Sequence, residues 1–281
     1  MTHISGTALP PLTSSVEDDA LERRYSSLST DGIMACLNCA AMMNGRFCSA
    51  CGQGRVERIT LSSFAHELAG QFLEVDRGLL HTFVDLLRRP GATIRGYIEG
   101  RRRSYTSPLA YILIATAFSV LRAALTPETA KKLSDMNASI KPTLSLLYSP
   151  AQIDVFLRIE NLITTNKFAM DAFLLVPIVL SLRLLFRKHK VNLAELGVFA
   201  CFTFGQATLV TILLGLPLLL FPSATVYSAL FMTITLGYLV YSGIGFFGRG
   251  AGTILRLAGS VVLGLVLMDG LTYTLPFIVA R

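Results

Sequence analysis

The sequence has little charge and no motif for a known reaction. Charged residues make up 15% of its 281 residues, whereas 52% are apolar and the mean hydropathy is +0.57. These values exclude an ordinary soluble domain and predict a membrane protein. Because no nucleophile or acid–base constellation is present, an enzyme is disfavoured. The sequence also has no internal repeat, so an inverted-repeat transporter core finds no support.

The N-terminal third is polar and contains many arginines. Residues 1–32 are rich in serine and threonine and lack the apolar core of a signal peptide, so they predict a disordered cytosolic tail. The net charge is +7, and 12 of the 25 lysines and arginines precede residue 108. Since membrane spans follow, this imbalance predicts contact with anionic lipid; nucleic acid is not expected.

Four of the five cysteines form two C-x-x-C pairs, Cys36 with Cys39 and Cys48 with Cys51. Two such pairs supply four thiolates for one tetrahedral ion, so residues 33–56 are predicted to form a small zinc-ribbon-like knuckle with structural Zn²⁺. The metal replaces a core that this module lacks. An iron site and a dithiol redox pair are the alternatives. Cys201 lies in an apolar run and is predicted to be a packed thiol.

Long apolar runs in the second half predict an all-α integral membrane protein with about five transmembrane helices. Residues 57–107 precede them as an amphipathic basic juxtamembrane region, and residues 108–281 form the bundle, with an external loop at 126–167. The first span is the weakest, because Arg122 lies near its end; if it does not cross, the topology inverts. The predicted spans are Pro108 to Leu125, Phe168 to Phe186, Leu196 to Phe221, Ala224 to Phe247 and Ala251 to Val279.

Basic residues in the short loops predict the orientation. Arg187, Lys188 and Lys190 in one loop and Arg249 in another lie on the same side as the basic N-terminal region if all five segments span. Positive loops stay on the cytoplasmic side. We therefore expect a multi-pass protein of the bacterial inner membrane with a cytoplasmic N-terminus.

Residues 58–108 carry the nearest approach to a family signature. They contain Asp76-Arg77-Gly78, then Arg89-Pro90-Gly91, then Tyr97-Ile98-Glu99-Gly100-Arg101-Arg102. With the cysteine knuckle before them and the apolar runs after them, these motifs resemble an uncharacterised bacterial membrane-protein family, the domain-of-unknown-function family 3667. The resemblance implies a knuckle, a Pro-Gly and Tyr-x-x-Gly-x-Arg segment, and several spans. It implies no particular activity.

Three further sets of residues are candidate sites. His66, Asp76 and His81 form a candidate second metal or acid–base site, although hydrogen bonding between helices is the commoner role of such histidines. Asp171 and Asp269 are charges within predicted spans, where ionisable groups pair, face a cavity or carry function. A basic collar is predicted to contact lipid headgroups, although the positive-inside rule is the simpler explanation; it consists of Arg88, Arg89, Arg95, Arg101, Arg102, Arg103 and Tyr105.

These features favour a zinc-binding membrane scaffold or transport accessory that contacts anionic lipid and a cytosolic protein partner. The interpretation depends on a closed metal site beside a charged surface, and no catalytic residue is assigned. The first alternative is a transporter or channel for a small solute or lipid that uses Asp269. A membrane-embedded lipid-modifying enzyme is less favoured. The sequence is also compatible with a homo-oligomer.

Overall fold

A computed structural model describes residues 34–43, 45–56, 58–60, 78–126, 148–219 and 223–279. The predicted tail at 1–32 lies outside them. Within them, the only sheet is a short antiparallel pair of strands in the knuckle. The elements are β1 (Met34–Ala35), β2 (Met42–Met43), α1 (Gly78–Arg88), α2 (Pro90–Ile98), α3 (Pro108–Leu125), α4 (Pro150–Thr165), α5 (Lys167–Leu185), α6 (Leu193–Leu214), a 3₁₀ turn (Leu216–Leu219), α7 (Ala224–Phe247) and α8 (Ala251–Val279).

Four of these helices, α3, α6, α7 and α8, are long and apolar enough to cross a membrane. The predicted fold class, a helical protein with membrane-spanning candidates behind a cysteine cluster, is confirmed. In α5 the apolar stretch is Phe173–Leu185, which is shorter than the ~20 residues that a hydrocarbon core requires. The count of five spans therefore stays a prediction.

Contacts between α5 and α8 show that these two helices are antiparallel. The hydroxyl of Ser181 donates to the carbonyl of Ser260 at 2.7 Å, and Ile178, one turn earlier, packs on Gly264, one turn later. The consecutive pairs α6 and α7, and α7 and α8, are also in contact. Helices α6 and α7 are antiparallel, because Thr203 contacts Ser242 whereas Phe199, one turn earlier, contacts Phe246, one turn later. The short turn at residues 248–250 makes α7 and α8 antiparallel as well.

The direction of α3 relative to α6 follows from contacts at both ends of α3. Near its start, Tyr111 packs on Gly205. Near its end, the guanidinium of Arg122 lies 3.1 Å from the ring centroid of Tyr227, and that ring also contacts Gly215 just after α6. The two helices are therefore parallel, which is the arrangement required if the first predicted span crosses.

Helix α2 packs inside the bundle. Pro90, at its first position, follows the end of α1, and seven of the nine residues of α2 are buried. Gly91 lies directly against Gly245 of α7, and the ring of Tyr97 meets Phe202 of α6 edge-on at 5.3 Å. Within the predicted juxtamembrane region, α2 therefore packs between α6 and α7, because its small and apolar residues let these two helices enclose it.

Helix α1 is amphipathic, as predicted, and α7 caps its C-terminal end. Thr82 and Leu86 are its buried residues. The hydroxyl of Tyr238 donates to the carbonyl of Leu86 at 2.7 Å, and that of Tyr241 donates to the carbonyl of Arg88 at 2.6 Å. These bonds satisfy carbonyl groups that the end of a helix leaves without an internal partner.

The segment that follows the knuckle is tied to the start of α6. Asn192 and Glu195 form a capping box, in which each side chain accepts the other's backbone amide. The guanidinium of Arg58 pairs with the Glu195 carboxylate at 2.9 Å, and the Asn192 side chain donates to the carbonyl of Ile59 at 3.0 Å. One helix cap therefore also anchors the chain that leaves the knuckle.

Candidate metal centre and arginine loop

The four paired cysteines converge on one point. Their Sγ atoms all lie within 4.8 Å of one another, and Cys36 and Cys51, like Cys39 and Cys48, are 3.6 Å apart. Four sulfurs at zinc–sulfur distances of about 2.3 Å form a tetrahedron with edges of about 3.8 Å. The donors therefore fit one metal ion, and the sulfur separations are too long for disulfides.

Two matching turns position the thiols. The amide of Ala40 donates to the carbonyl of Cys36, and that of Gly52 donates to the carbonyl of Cys48, both at 2.8 Å. Ala40 and Gly52 each follow the second cysteine of a pair, and both have positive φ, 61° and 74°. Each turn thus reverses the chain through a left-handed residue, a conformation that glycine adopts freely and alanine adopts at a cost.

Opposite substitutions in these two turns are expected to have opposite effects on metal affinity. Ala40→Gly removes a strained side chain and should tighten binding about fivefold, for a gain of about 1 kcal/mol. Gly52→Ala should weaken binding by a similar factor, because the nearest atom to its new Cβ is 3.6 Å away and only the backbone conformation is penalised. Competition with a coloured chelator measures both affinities. A shift of both variants in the same direction would contradict this account.

The free thiols hold their protons unequally. Burial disfavours the Cys51 thiolate, but the backbone amide of Gln53 and the neighbouring thiols outweigh it and lower its pKa to about 7. The amide of Ala41 favours the Cys39 thiolate, but the neighbouring thiols and burial raise its pKa to about 12. A metal ion must displace these protons on binding. Four thiolates suit zinc or iron, and they leave no open position for a substrate.

A buried glutamine joins the knuckle to the loop between α2 and α3, residues 99–107, which we call the arginine loop. Gln53 is 5% exposed. Its Nε2 donates to the carbonyl of Gly100 at 3.0 Å, and its Oε1 accepts the backbone amide of Arg103 at 2.9 Å. Because one bond uses the donor of the amide group and the other uses its acceptor, both ends of the side chain are fixed.

Gly100 lets the knuckle approach the arginine loop. It has φ of 113°, a conformation that side chains disfavour. A Cβ at this position would lie 2.7 Å from Leu37 Cδ1 and 3.2 Å from Val56 Cγ1. Both the backbone conformation and the packing of the knuckle therefore require glycine in the Tyr-x-x-Gly-x-Arg motif.

Helix α1 holds the other side of the arginine loop. The hydroxyl of Tyr105 donates to Asp85 Oδ2, and the amide of Thr106 donates to Thr82 Oγ1, both at 2.9 Å. Burial and the Asp85 carboxylate raise the pKa of Tyr105 to about 12, so its hydroxyl stays a donor at neutral pH. The loop is thus fixed by the knuckle on one side and by α1 on the other.

The predicted collar residues have different surroundings. Arg102 folds back, with its Nε donating to the carbonyl of Tyr97 at 3.3 Å and its guanidinium 5.6 Å from the ring centroid of that tyrosine. Tyr105 bonds to α1 and is half-buried. Four exposed side chains make no hydrogen bond or ion pair with any described residue, and these are Arg88, Arg89, Arg101 and Arg103.

Arg95 is buried, so its prediction as a headgroup contact is wrong. It is 5% exposed, and its guanidinium donates to the carbonyls of Gly245 and Phe246 at 2.7 and 3.0 Å. These carbonyls belong to the C-terminal end of α7, where unpaired acceptors and the helix dipole favour a positive charge. Arg95 therefore joins α2 to α7.

The predicted second site is only partly within the described residues. His66 and Asp76 lie outside them. His81 Nε2 is 3.7 Å from Asp85 Oδ2, and its ring centroid is 5.1 Å from that of Tyr105. His81 of α1 thus contacts Asp85 of the same helix and Tyr105 of the arginine loop. Its pairing with His66 and Asp76 stays a prediction.

The two predicted intramembrane charges differ in how far they can be described. Asp171 accepts a short hydrogen bond from the hydroxyl of Thr116, so a carboxylate in α5 has a partner in α3. Asp269 lies in α8, but its side chain is outside the described part of the chain. Its role in transport stays a prediction.

Sequence reasoning missed the residues that connect the parts. Gln53 lies two positions after Cys51, the last cysteine of the knuckle. No motif indicates that its side chain binds the arginine loop. Thr82 lies inside a helix, and no sequence pattern predicts that its hydroxyl accepts a hydrogen bond from the arginine loop. Asn192 and Glu195 could have been found, since Asn-x-x-Glu before an apolar run is a capping-box pattern.

The fold and the site define a helical protein with an N-terminal cysteine cluster able to hold a metal ion and, among the residues that the structure describes, four candidate membrane-spanning helices. The model of a family described as "Protein of unknown function (DUF3667)" matches residues 76–120. The match covers α1, α2, the arginine loop and most of α3. No curated protein and no solved structure matches the chain.

Proposed function

We propose that the protein is a zinc-dependent membrane scaffold. Its headpiece, which consists of the knuckle (residues 34–56) and the arginine loop, presents a basic surface to anionic lipid and to a cytosolic protein partner. The two hydrogen bonds of the Gln53 side chain are the observation that carries the proposal, because they connect the knuckle to the backbone of Gly100 and Arg103. The site is structural because all four ligand positions belong to cysteines.

The metal acts on the basic surface through the knuckle. The buried residues of the knuckle are few, Cys36, Met43 and Cys48 in its cluster, so its fold depends on metal binding. Without that fold, Gln53 cannot hold the arginine loop, and the carbonyl of Gly100 and the amide of Arg103 lose their partner. Each of these hydrogen bonds contributes about 0.5 to 1.5 kcal/mol net of exchange with water. Metal loss therefore loosens the loop.

Charge favours anionic lipid as one contact of the headpiece. Arg101 and Arg103 belong to the arginine loop, and Arg88 and Arg89 lie at the end of α1; all four are exposed. Each is expected to contribute about 1 kcal/mol near an anionic surface. Basic loops are retained in the cytoplasm, so the headpiece is placed on that side of a bacterial inner membrane. The same surface is accessible there to a soluble acidic partner.

Gln53→Leu tests the proposal with the metal centre left in place. The protein is reconstituted in nanodiscs that contain phosphatidylglycerol, and hydrogen exchange of residues 100–106 is measured. Exchange should rise about tenfold or more in this variant, because two bonds worth about 1 kcal/mol or more each are lost. Zinc content should stay at one ion per chain. Chelation of zinc from the wild-type protein should produce the same rise.

Partner capture by crosslinking completes the test. Cys36→Ser combined with Cys39→Ser should abolish capture of the cytosolic partner while the helices stay inserted. Exchange in α6 is the internal control, since this helix does not contact the metal centre. Unchanged exchange at residues 100–106 after zinc removal would reject the scaffold proposal.

A further inference from the structure

One face of the molecule combines unpaired positive charge with a fixed polar framework. His81, Asp85 and Arg89 follow one another at intervals of four residues along α1 and its end, where the amide of Arg89 still donates to the carbonyl of Asp85 at 2.8 Å. This spacing places the three side chains on one side of the helix. Tyr105 of the arginine loop contacts the same side through Asp85 and the His81 ring.

Arg101 reaches this face from the arginine loop. The guanidinium of Arg101 lies against Gly96 of α2. A Cβ on Gly96 would be 2.7 Å from Nη2 and 3.0 Å from Nε of Arg101. Burial and Asp85 raise the pKa of Tyr105, whereas the charges of Arg101 and Arg89 act in the opposite direction. Arg89 follows Asp85 by one turn at the end of α1, and Arg101 precedes Tyr105 by four positions in the arginine loop. The two arginines therefore flank the place where the Tyr105 hydroxyl joins the loop to Asp85.

No ion pair with a described residue balances the charge of Arg89 or Arg101. Asp85 supplies one carboxylate, and its Oδ2 already accepts the hydroxyl of Tyr105. Arg89 and Arg101 form no ion pair with it or with any other described residue. The two exposed guanidinium groups are thus accompanied by one carboxylate, whose Oδ2 already accepts the Tyr105 hydroxyl. A surplus of positive charge of this kind suits an anion with several acceptor oxygens.

We propose that Arg89 and Arg101 bind a phosphate group, with His81 as a neighbouring donor and with Asp85 and Tyr105 as positioning residues. The proposal rests on the proposed function and deepens it, because it names the recognised group and the two arginines that bind it within the basic surface. Guanidinium groups bind phosphate oxygens in pairs. The phosphate belongs to a lipid headgroup or is free in solution, and the chemistry of recognition is the same.

The test compares four arginine variants that each remove one positive charge. Arg89→Gln and Arg101→Gln change the proposed site, whereas Arg88→Gln and Arg103→Gln are matched controls on the same exposed surface. Retention of phosphatidic acid by the detergent-purified protein is measured by native mass spectrometry. Each site variant should weaken retention by about tenfold or more, and each control by about threefold or less. Equal loss in all four variants would overturn the proposal.

Gly96→Ala gives an independent check without any change of charge. The new Cβ would displace the Arg101 guanidinium, so retention of phosphatidic acid should fall although both arginines are present. Retention equal to that of the wild-type protein would contradict a role for the position of Arg101.

Competition identifies the source of the phosphate. Displacement of phosphatidic acid by millimolar inorganic phosphate would assign the site to free phosphate. Retention that resists inorganic phosphate but depends on Arg89 and Arg101 would assign it to a lipid headgroup. All variants should keep one zinc ion, so a failure confined to these arginines is distinguishable from a failure of the zinc-dependent scaffold, which would leave lipid retention unchanged on zinc removal.

Discussion

Replacing Cys39 and Cys51 with serine is expected to unfold residues 34–56 while the helices stay packed. Metal binding contributes on the order of 10 to 16 kcal/mol to small modules of this kind. No other contribution to the stability of the knuckle is that large. Its hydrophobic cluster consists of two cysteines and Met43, with Ala41 and Cys51 packed against it. The helices have a separate and larger core.

Trypsin is a direct probe of this unfolding. Arg46 and Arg55 are exposed in the knuckle, but a folded knuckle restrains the backbone around them. Cleavage at both positions should become at least tenfold faster in the serine variant, and far-ultraviolet circular dichroism should keep its helical signal. Cys201→Ser is the matched control, because it removes a buried thiol of α6 and leaves the four ligands intact. Slow cleavage in a zinc-free variant would show that the knuckle folds without metal.

Gly91→Ala is expected to be the most damaging single substitution in the helices. A Cβ on Gly91 would lie 2.1 Å from the backbone carbon of Gly245, so α2 and α7 must move apart. Overpacking of this kind costs about 1 to 3 kcal/mol and sometimes more. The displacement also pulls Arg95 from the carbonyls that it caps, so we expect the upper end of that range.

Two glycines of α7, Gly245 and Gly237, form a graded series of contacts together with Gly91 of α2. A Cβ on Gly245 would approach Gly91 Cα to 3.0 Å, whereas a Cβ on Gly237 would meet nothing within 4 Å. Thermal unfolding in detergent should therefore show a large loss of stability for Gly91→Ala, a smaller loss for Gly245→Ala and little change or a slight gain for Gly237→Ala. Equal melting temperatures for the Gly91 and Gly237 variants would contradict the close contact between α2 and α7.

The sequence predicted those parts of the molecule that have a local signal. The spacing of Cys36, Cys39, Cys48 and Cys51 indicated one metal centre, and the structure brings the four thiols together. Hydropathy located both ends of α3, α7 and α8, because a long apolar run in a helix is hard to mistake. It also located α6, although the predicted span ends seven residues after the helix does. The boundary between α1 and α2 also has a local signal, since proline begins helices and does not continue them.

The sequence failed where the environment of a residue depends on distant parts of the chain. Arg95 lies among other arginines and was assigned to the surface, but its acceptors belong to α7, about 150 positions later. The motif Arg89-Pro90-Gly91 does not reveal why Gly91 admits no side chain, and only the contact of Gly91 with Gly245 explains it. Periodicity describes one helix at a time, so it does not report that a second helix encloses the first.

The burial of α2 between α6 and α7 also imposes an order on biogenesis. Arg95 and the carbonyl of Gly245 are separated by 150 residues. At a synthesis rate of about 5 to 20 residues per second, α7 emerges roughly 8 to 30 seconds after α2. During that interval Arg95 has no α7 carbonyl to cap, and Gly91 has no helix to meet. The segment matched by the family model therefore reaches its final position late, when nearly all of the chain has been made.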